Sequence, residues 1–203
     1  MRISTLGFTT RFASAATVCC LIFAAAGCNK SKPDTTNFKT AINNYYSVHP
    51  SCVWQSAVKF PAQADAGSDT QTKGFDALTD AGLLTRTPQE KKRFLIGSKQ
   101  VNDYDISDKG RTQWTADTSQ PGYGNFCYGH REVTSIDSST PGTNGSGAKT
   151  ATVTYHYKIA DVPSWANAAE VKTAFPNVAD ALNSNPTDTA TLVQTGDRWE
   201  YTQ

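Results

Sequence analysis

The chain lacks the short patterns whose spacing alone implies a chemistry. There is no His-Glu-x-x-His, no Gly-x-Ser-x-Gly, no phosphate-binding loop and no dinucleotide fingerprint. An excess of one charge is missing too, since 19 Lys plus Arg stand against 18 Asp plus Glu. That balance argues against the basic footprint of a nucleic-acid binder and against a polybasic membrane patch. Residues 13–27 are uncharged and mostly small or apolar, but they number only fifteen. A spanning helix needs roughly 20. No internal repeat or coiled-coil pattern is present.

What is present begins at the N-terminus. Met1-Arg2 and Arg11 give a positive start, the uncharged run follows, and it ends in Ala25-Ala26-Gly27-Cys28. This resembles the lipobox of bacterial lipoproteins, with Ala25 at the place usually held by Leu. The resemblance implies a signal peptide over residues 1–27, cleavage before Cys28 and fatty acylation of Cys28. It also implies more than one acyl chain, which anchors stably where a single chain does not. Asn29, rather than Asp, follows the cysteine, which favours the outer membrane over the inner. The expected place is therefore the cell envelope, lipid-anchored and facing the periplasm. Without Arg2 and Arg11 the balance is 17 basic against 18 acidic side chains. Residues 28–36 are polar, contain Pro33 and read as a flexible tether.

Of five cysteines, Cys19 and Cys20 leave with the signal and Cys28 goes to lipid. Cys52 and Cys127 remain, and two thiols in an oxidising compartment pair. Such a bridge contributes about 4 kcal/mol on a chain-entropy estimate. Each of these cysteines has a histidine three residues away, in His49-Pro50-Ser51-Cys52 and Cys127-Tyr128-Gly129-His130. The halves resemble a Cys2His2 zinc spacing. A disulfide consumes both thiolates, however, and Pro50 restricts how the His49 segment bends. The reading is a disulfide without metal or cofactor; a site built from His49 and His130 alone is the metal alternative.

Periodicity outlines the elements. Asn37 is the expected cap of a helix whose stripe is Phe38, Ala41, Ile42, Tyr45 and Tyr46, ended by His49-Pro50. Residues 62–72 read as a loop and 73–81 as a helix stopped by Gly82. Strands are expected at 94–96 and 101–106. This region, 75–111, resembles a winged helix-turn-helix: a helix, Ala81-Gly82-Leu83-Leu84, a hairpin, then Tyr104-Asp105-Ile106-Ser107-Asp108-Lys109-Gly110-Arg111. In an exported chain that pattern implies a protein-contact module, with no nucleic acid as partner. Residues 115–124 read as a connector between domains at 37–118 and 123–203.

Past the connector, a strand is expected at 126–136 and a loop at 137–147. The clearest strand is 149–159, with Val153, Tyr155, Tyr157 and Ile159 on one face and Thr152, Thr154, His156 and Lys158 on the other. Ser164 is the expected cap of a helix carrying Val171, Phe175, Val178 and Leu182, kinked or restarted at Pro176. Strands at 189–194 and 198–201 join through Thr195-Gly196-Asp197. The fold class is α+β: an N-terminal winged-helix-like α/β part packed on a C-terminal antiparallel β-β-α-β-β part.

Catalysis has few candidates. Ser56-Ala57-Val58-Lys59, Tyr123-Gly124-Asn125 and Lys149-Thr150-Ala151 imitate the motifs of penicillin-binding proteins. The second and third lie too close together for that fold, and Ala151 replaces its glycine. No residue is therefore assigned a catalytic role. The favoured function is a non-enzymatic binding or assembly module, with the membrane and an envelope protein as partners. The enzyme alternative is a small periplasmic hydrolase using His130 or His156 beside a carboxylate.

Overall fold

The computed structural model describes residues 33–92 and 97–202. The signal peptide, Cys28, tether residues 28–32 and the strand expected at 94–96 lie outside the described residues. Among those described, no helix is long and apolar enough to cross a membrane.

The first helix, α1 (Thr35–Ser47), starts earlier than expected. Asp34, not Asn37, is its cap, and the Asp34 carboxylate accepts the Asn37 amide at 2.9 Å. That amide is one of the first-turn donors a helix cannot satisfy internally. Short strands β1 (Ser51–Cys52) and β2 (Val58–Lys59) precede β3 (Ala62–Asp65), α2 (Asp69–Asp80), β4 (Leu84–Lys92) and β5 (Ser98–Ile106). The single turn α3 (Asp108–Arg111) and β6 (Trp114–Ala116) lead into β7 (Tyr123–Thr143) and β8 (Lys149–Ala160). A 3-10 turn at Ser164–Asn167, α4 (Ala169–Ala174), α5 (Pro176–Asn183), β9 (Thr187–Thr195) and β10 (Arg198–Thr202) complete the chain.

The class is α+β and the pairing is antiparallel throughout. One sheet runs β1-β7-β8-β9-β10, with β2 and β6 also on β7; the other runs β3-β5-β4. Three segments depart from expectation. Residues 62–72 hold β3 and the first turn of α2 rather than a loop. The first hairpin strand is Leu84–Lys92; beyond Leu84 it is exposed at every position, so no alternation marks it. Its Pro88 is tolerated because β4 is an edge strand. Residues 137–143 continue β7 as a solvated arm, bulged between Val133 and Ser135 and between Ile136 and Ser138.

Core packing does not follow the 37–118 and 123–203 division. Phe38, Ala41 and Ile42 of α1 lie against Val133, Val153, Tyr155, Ala190, Leu192 and Trp199, the inner face of the larger sheet. Val171 of α4, Val178 of α5 and Phe175 between them instead join Leu78, Leu83 and Tyr104, together with Phe126 and Tyr128 of β7. The larger sheet thus carries α1 over its Val133–Trp199 core, α5 also contacts β8 of that sheet, and α4 packs on α2. The spine common to both is β7–β8. Phe126 and Tyr128 belong to one core, Val133 to the other, and Ile159 packs against both.

Candidate functional site

A groove of about 740 Å³ lies between α2 and α4. Small residues form it, namely Ala77 on α2 with Ala169 and Ala174 on α4. Gly74 lets the helices close, since a Cβ there would stand 3.1 Å from the Phe175 ring. Asp69, Asp76, Asp80 and Glu170 line the walls with a single lysine, Lys73. Asp76 is anchored from below, accepting from Arg86 at 2.8 Å and from the Tyr104 hydroxyl at 2.7 Å. Burial, and then that bond to the Asp76 carboxylate, pushes the Tyr104 hydroxyl up to about 12. The lining holds no histidine, cysteine or serine. Carboxylates around an alanine floor fit a segment that brings positive charge and small apolar contacts.

Of the four residues of the His/Cys segments, the two cysteines meet and the two histidines do not. Cys52 and Cys127 face each other across β1 and β7 and are joined as a disulfide. His49 shares a shallow hollow with that bridge, lined also by Pro50, Ala57, Thr115 and Asn125. The hollow's lining does not include His130. His49 stacks on Tyr45 at 3.9 Å, with Nδ1 2.7 Å from the Tyr45 carbonyl. His130 sits 3.5 Å from Asp161. The two histidines therefore turn to different partners. Among the described residues no three of His, Cys, Asp and Glu gather as a metal site.

His156 is the more suggestive histidine. Its Nε2 is 3.1 Å from the Asp137 carboxylate, and its Nδ1 is 3.1 Å from Thr187 Oγ1. A carboxylate, an imidazole and a hydroxyl in line imitate a nucleophile triad. Nδ1 is also 3.1 Å from the Asn185 carbonyl, an acceptor only. A proton on Nδ1 directed to that carbonyl leaves no lone pair there to take one from Thr187. The group sits on the open outer face of β7, β8 and β9, about a third exposed. Imitators of the penicillin-binding motifs are scattered: Tyr123 begins β7, whereas Lys149 pairs with Thr143 at its other end.

Sequence reading missed the Arg131 cluster. The guanidinium stands 4.4 Å from the Tyr157 ring and 5.0 Å from the Tyr46 ring. It donates to the Tyr46 hydroxyl at 3.1 Å and to Asp188 at 2.5 Å. Burial pulls the guanidinium down, but Tyr46, Tyr157 and Asp188 outweigh it, so Arg131 is held charged above its ordinary value. Burial likewise pushes Tyr46 up to about 12. Asn43 adds to this latch by accepting the Val133 amide at 2.8 Å. The cluster fastens the end of α1 to β7 and β9, so its role is structural. Trp114, beside the expected connector, packs between Phe60 and Phe126.

No family model matches the chain, and neither a curated protein nor a solved structure matches it.

Proposed function

We propose that the protein is a lipid-anchored bacterial envelope module whose α2–α4 groove binds a protein partner, without chemistry of its own. The observation that carries this reading is the groove: small side chains on its floor, four carboxylates on its walls and a wide mouth. Anchoring rests on the lipobox-like Ala25-Ala26-Gly27-Cys28. A wing-like contact module over 75–111 is supported by α2 between β3 and β4, and by the strand order β3-β5-β4. The partner segment carries Lys or Arg beside small residues.

A photocrosslinker at Thr173, in the full chain expressed in its envelope, tests the reading. A discrete protein adduct that disappears with Asp80→Lys and Glu170→Lys is expected. Adducts indifferent to both charge reversals, or none, would remove the groove from the argument. Separately, the mass of the Cys28 peptide reads acylation directly.

The hydrolase alternative rests on Asp137, His156 and Thr187. Hydrolysis of small esters that is lost in both His156→Ala and Thr187→Val would favour it over a binding module.

A further inference from the structure

The place where the tether enters the fold fixes which end of the protein meets the membrane. Pro33 shares a notch of about 120 Å³ with Pro141, Gly142, Lys149, Gln194 and Trp199. These residues mark the closed ends of two hairpins. Lys149 pairs with Thr143 at the end of β7–β8, and Gln194 with Trp199 beside the β9–β10 turn. From there α1 runs the other way, with Phe38 5.1 Å from Trp199 and Tyr46 at Arg131. Its 13 residues carry the chain about 20 Å from the tips.

Five peptide steps separate Cys28 from Pro33 and span at most about 18 Å. Crossing one headgroup layer uses about 5–8 Å of that reach. Resting on the acylation of Cys28 proposed above, we infer that the β7–β8 tip, residues 144–148, and the β9–β10 turn lie on the phospholipid headgroups of the bilayer that holds the anchor.

The tip suits that contact. Asn144 Oδ1 accepts the Ser146 and Ala148 amides at 3.1 and 2.9 Å, and the Asn144 amide donates to the Ala148 carbonyl at 3.0 Å. The loop is closed on itself before it meets any surface. Residues 143–148 contain no ionisable side chain, so no charge is stripped of water on contact. Lys149 and Arg198 flank the tips, opposed by Asp197. The α2–α4 groove lies past Ala160, at the opposite end of β8.

The test places p-benzoylphenylalanine at 146 or at 119, the latter in the turn before β7. The full precursor is expressed in a bacterium. In parallel, residues 28–203 are coupled through the Cys28 thiol to a maleimide lipid in vesicles of phosphatidylethanolamine and phosphatidylglycerol. Irradiation is expected to give phospholipid adducts at 146 and none above background at 119, in both preparations. Adducts at 119 equal to those at 146, or none at 146 on the vesicles, would overturn the orientation. An unacylated Cys28 peptide from the precursor would refute the anchor instead, and the maleimide-coupled chain would still decide the orientation.

Discussion

Ile42→Ala tests the coupling of the two cores through β7–β8. Ile42 lies on α1, is fully buried, and packs on the inner face of the larger sheet. Truncating a buried isoleucine costs about 2–5 kcal/mol, a lost transfer term plus a cavity term. A middle value of about 3 kcal/mol lowers the melting temperature by about 6–12 °C for a chain of this size. The smaller sheet contains no contact with Ile42, yet it should melt in the same transition. The reason is β7–β8, which walls both cores through Phe126, Tyr128, Val133 and Ile159. Hydrogen exchange followed by mass spectrometry reads this directly. Amides of β5, such as Val101 and Tyr104, should lose protection together with those of β8 and β9. Phe175→Ala should do the reverse, carrying the larger sheet down with the smaller. If residues 62–106 keep their full protection in Ile42→Ala while 149–202 lose theirs, the halves are independent and the shared-spine argument is wrong.

Reducing the Cys52–Cys127 bridge, which closes a separation of 75 residues, should cost about 4 kcal/mol by loop entropy. Calorimetry with and without reductant checks this, and an unchanged melting temperature would mean the bridge is not a structural staple. Gly129→Ala should destabilise by more than about 2 kcal/mol, because φ is +130° and the added Cβ would lie 2.2 Å from the Ala160 carbonyl oxygen. Gly145→Ala, with open space around it, should stay within about 0.5 kcal/mol in the same denaturant titration. At alkaline pH the sign follows from Tyr46 and Tyr104, both raised from 10.0 to about 12. The unfolded chain ionises first, so native protons are in excess and stability falls between these values. Denaturation midpoints should decline across that window, and less steeply in Tyr46→Phe.

Several elements were readable from sequence for a simple physical reason. In β8, Val153, Tyr155 and Tyr157 are buried while Thr152 and Lys158 are exposed, because one face meets a core and the other meets water. The α1 stripe is legible for the same reason. β4 was not, since an edge strand with no buried face leaves no alternation. The arm at 137–143 was hidden likewise, both its faces being solvated. Periodicity says which face of a helix is apolar, but not which element it will meet, so the seating of α1 on the larger sheet and of α4 on α2 left no mark. The candidate groove depends on the α2–α4 contact and was therefore invisible. The Cys52–Cys127 pair was legible because few cysteines remain once the first three are set aside, whereas the partners of His49, His130 and His156 are set by tertiary contacts.

On the proposed reading, the seating of α1 also links the anchor to the groove. Because α1 belongs to the larger sheet, its first residue lies at the hairpin tips, and Pro33 is held beside Trp199. Because α4 packs on α2 in the other core, the groove forms beyond the other end of β8. Residues 124 to 142 of β7 span at most about 60 Å at the usual rise, less after its bulges and twist. A five-step tether reaches only about 18 Å, too little to swing a groove at that end down onto the bilayer. On the proposed reading, a partner meets the α2–α4 groove in the periplasm and not at the lipid surface. Lengthening the tether with a flexible insert after Asn29 should therefore leave crosslinking at Thr173 unchanged while weakening lipid contact at 146. The opposite result, a groove adduct lost and tip contact kept, would place the partner at the membrane.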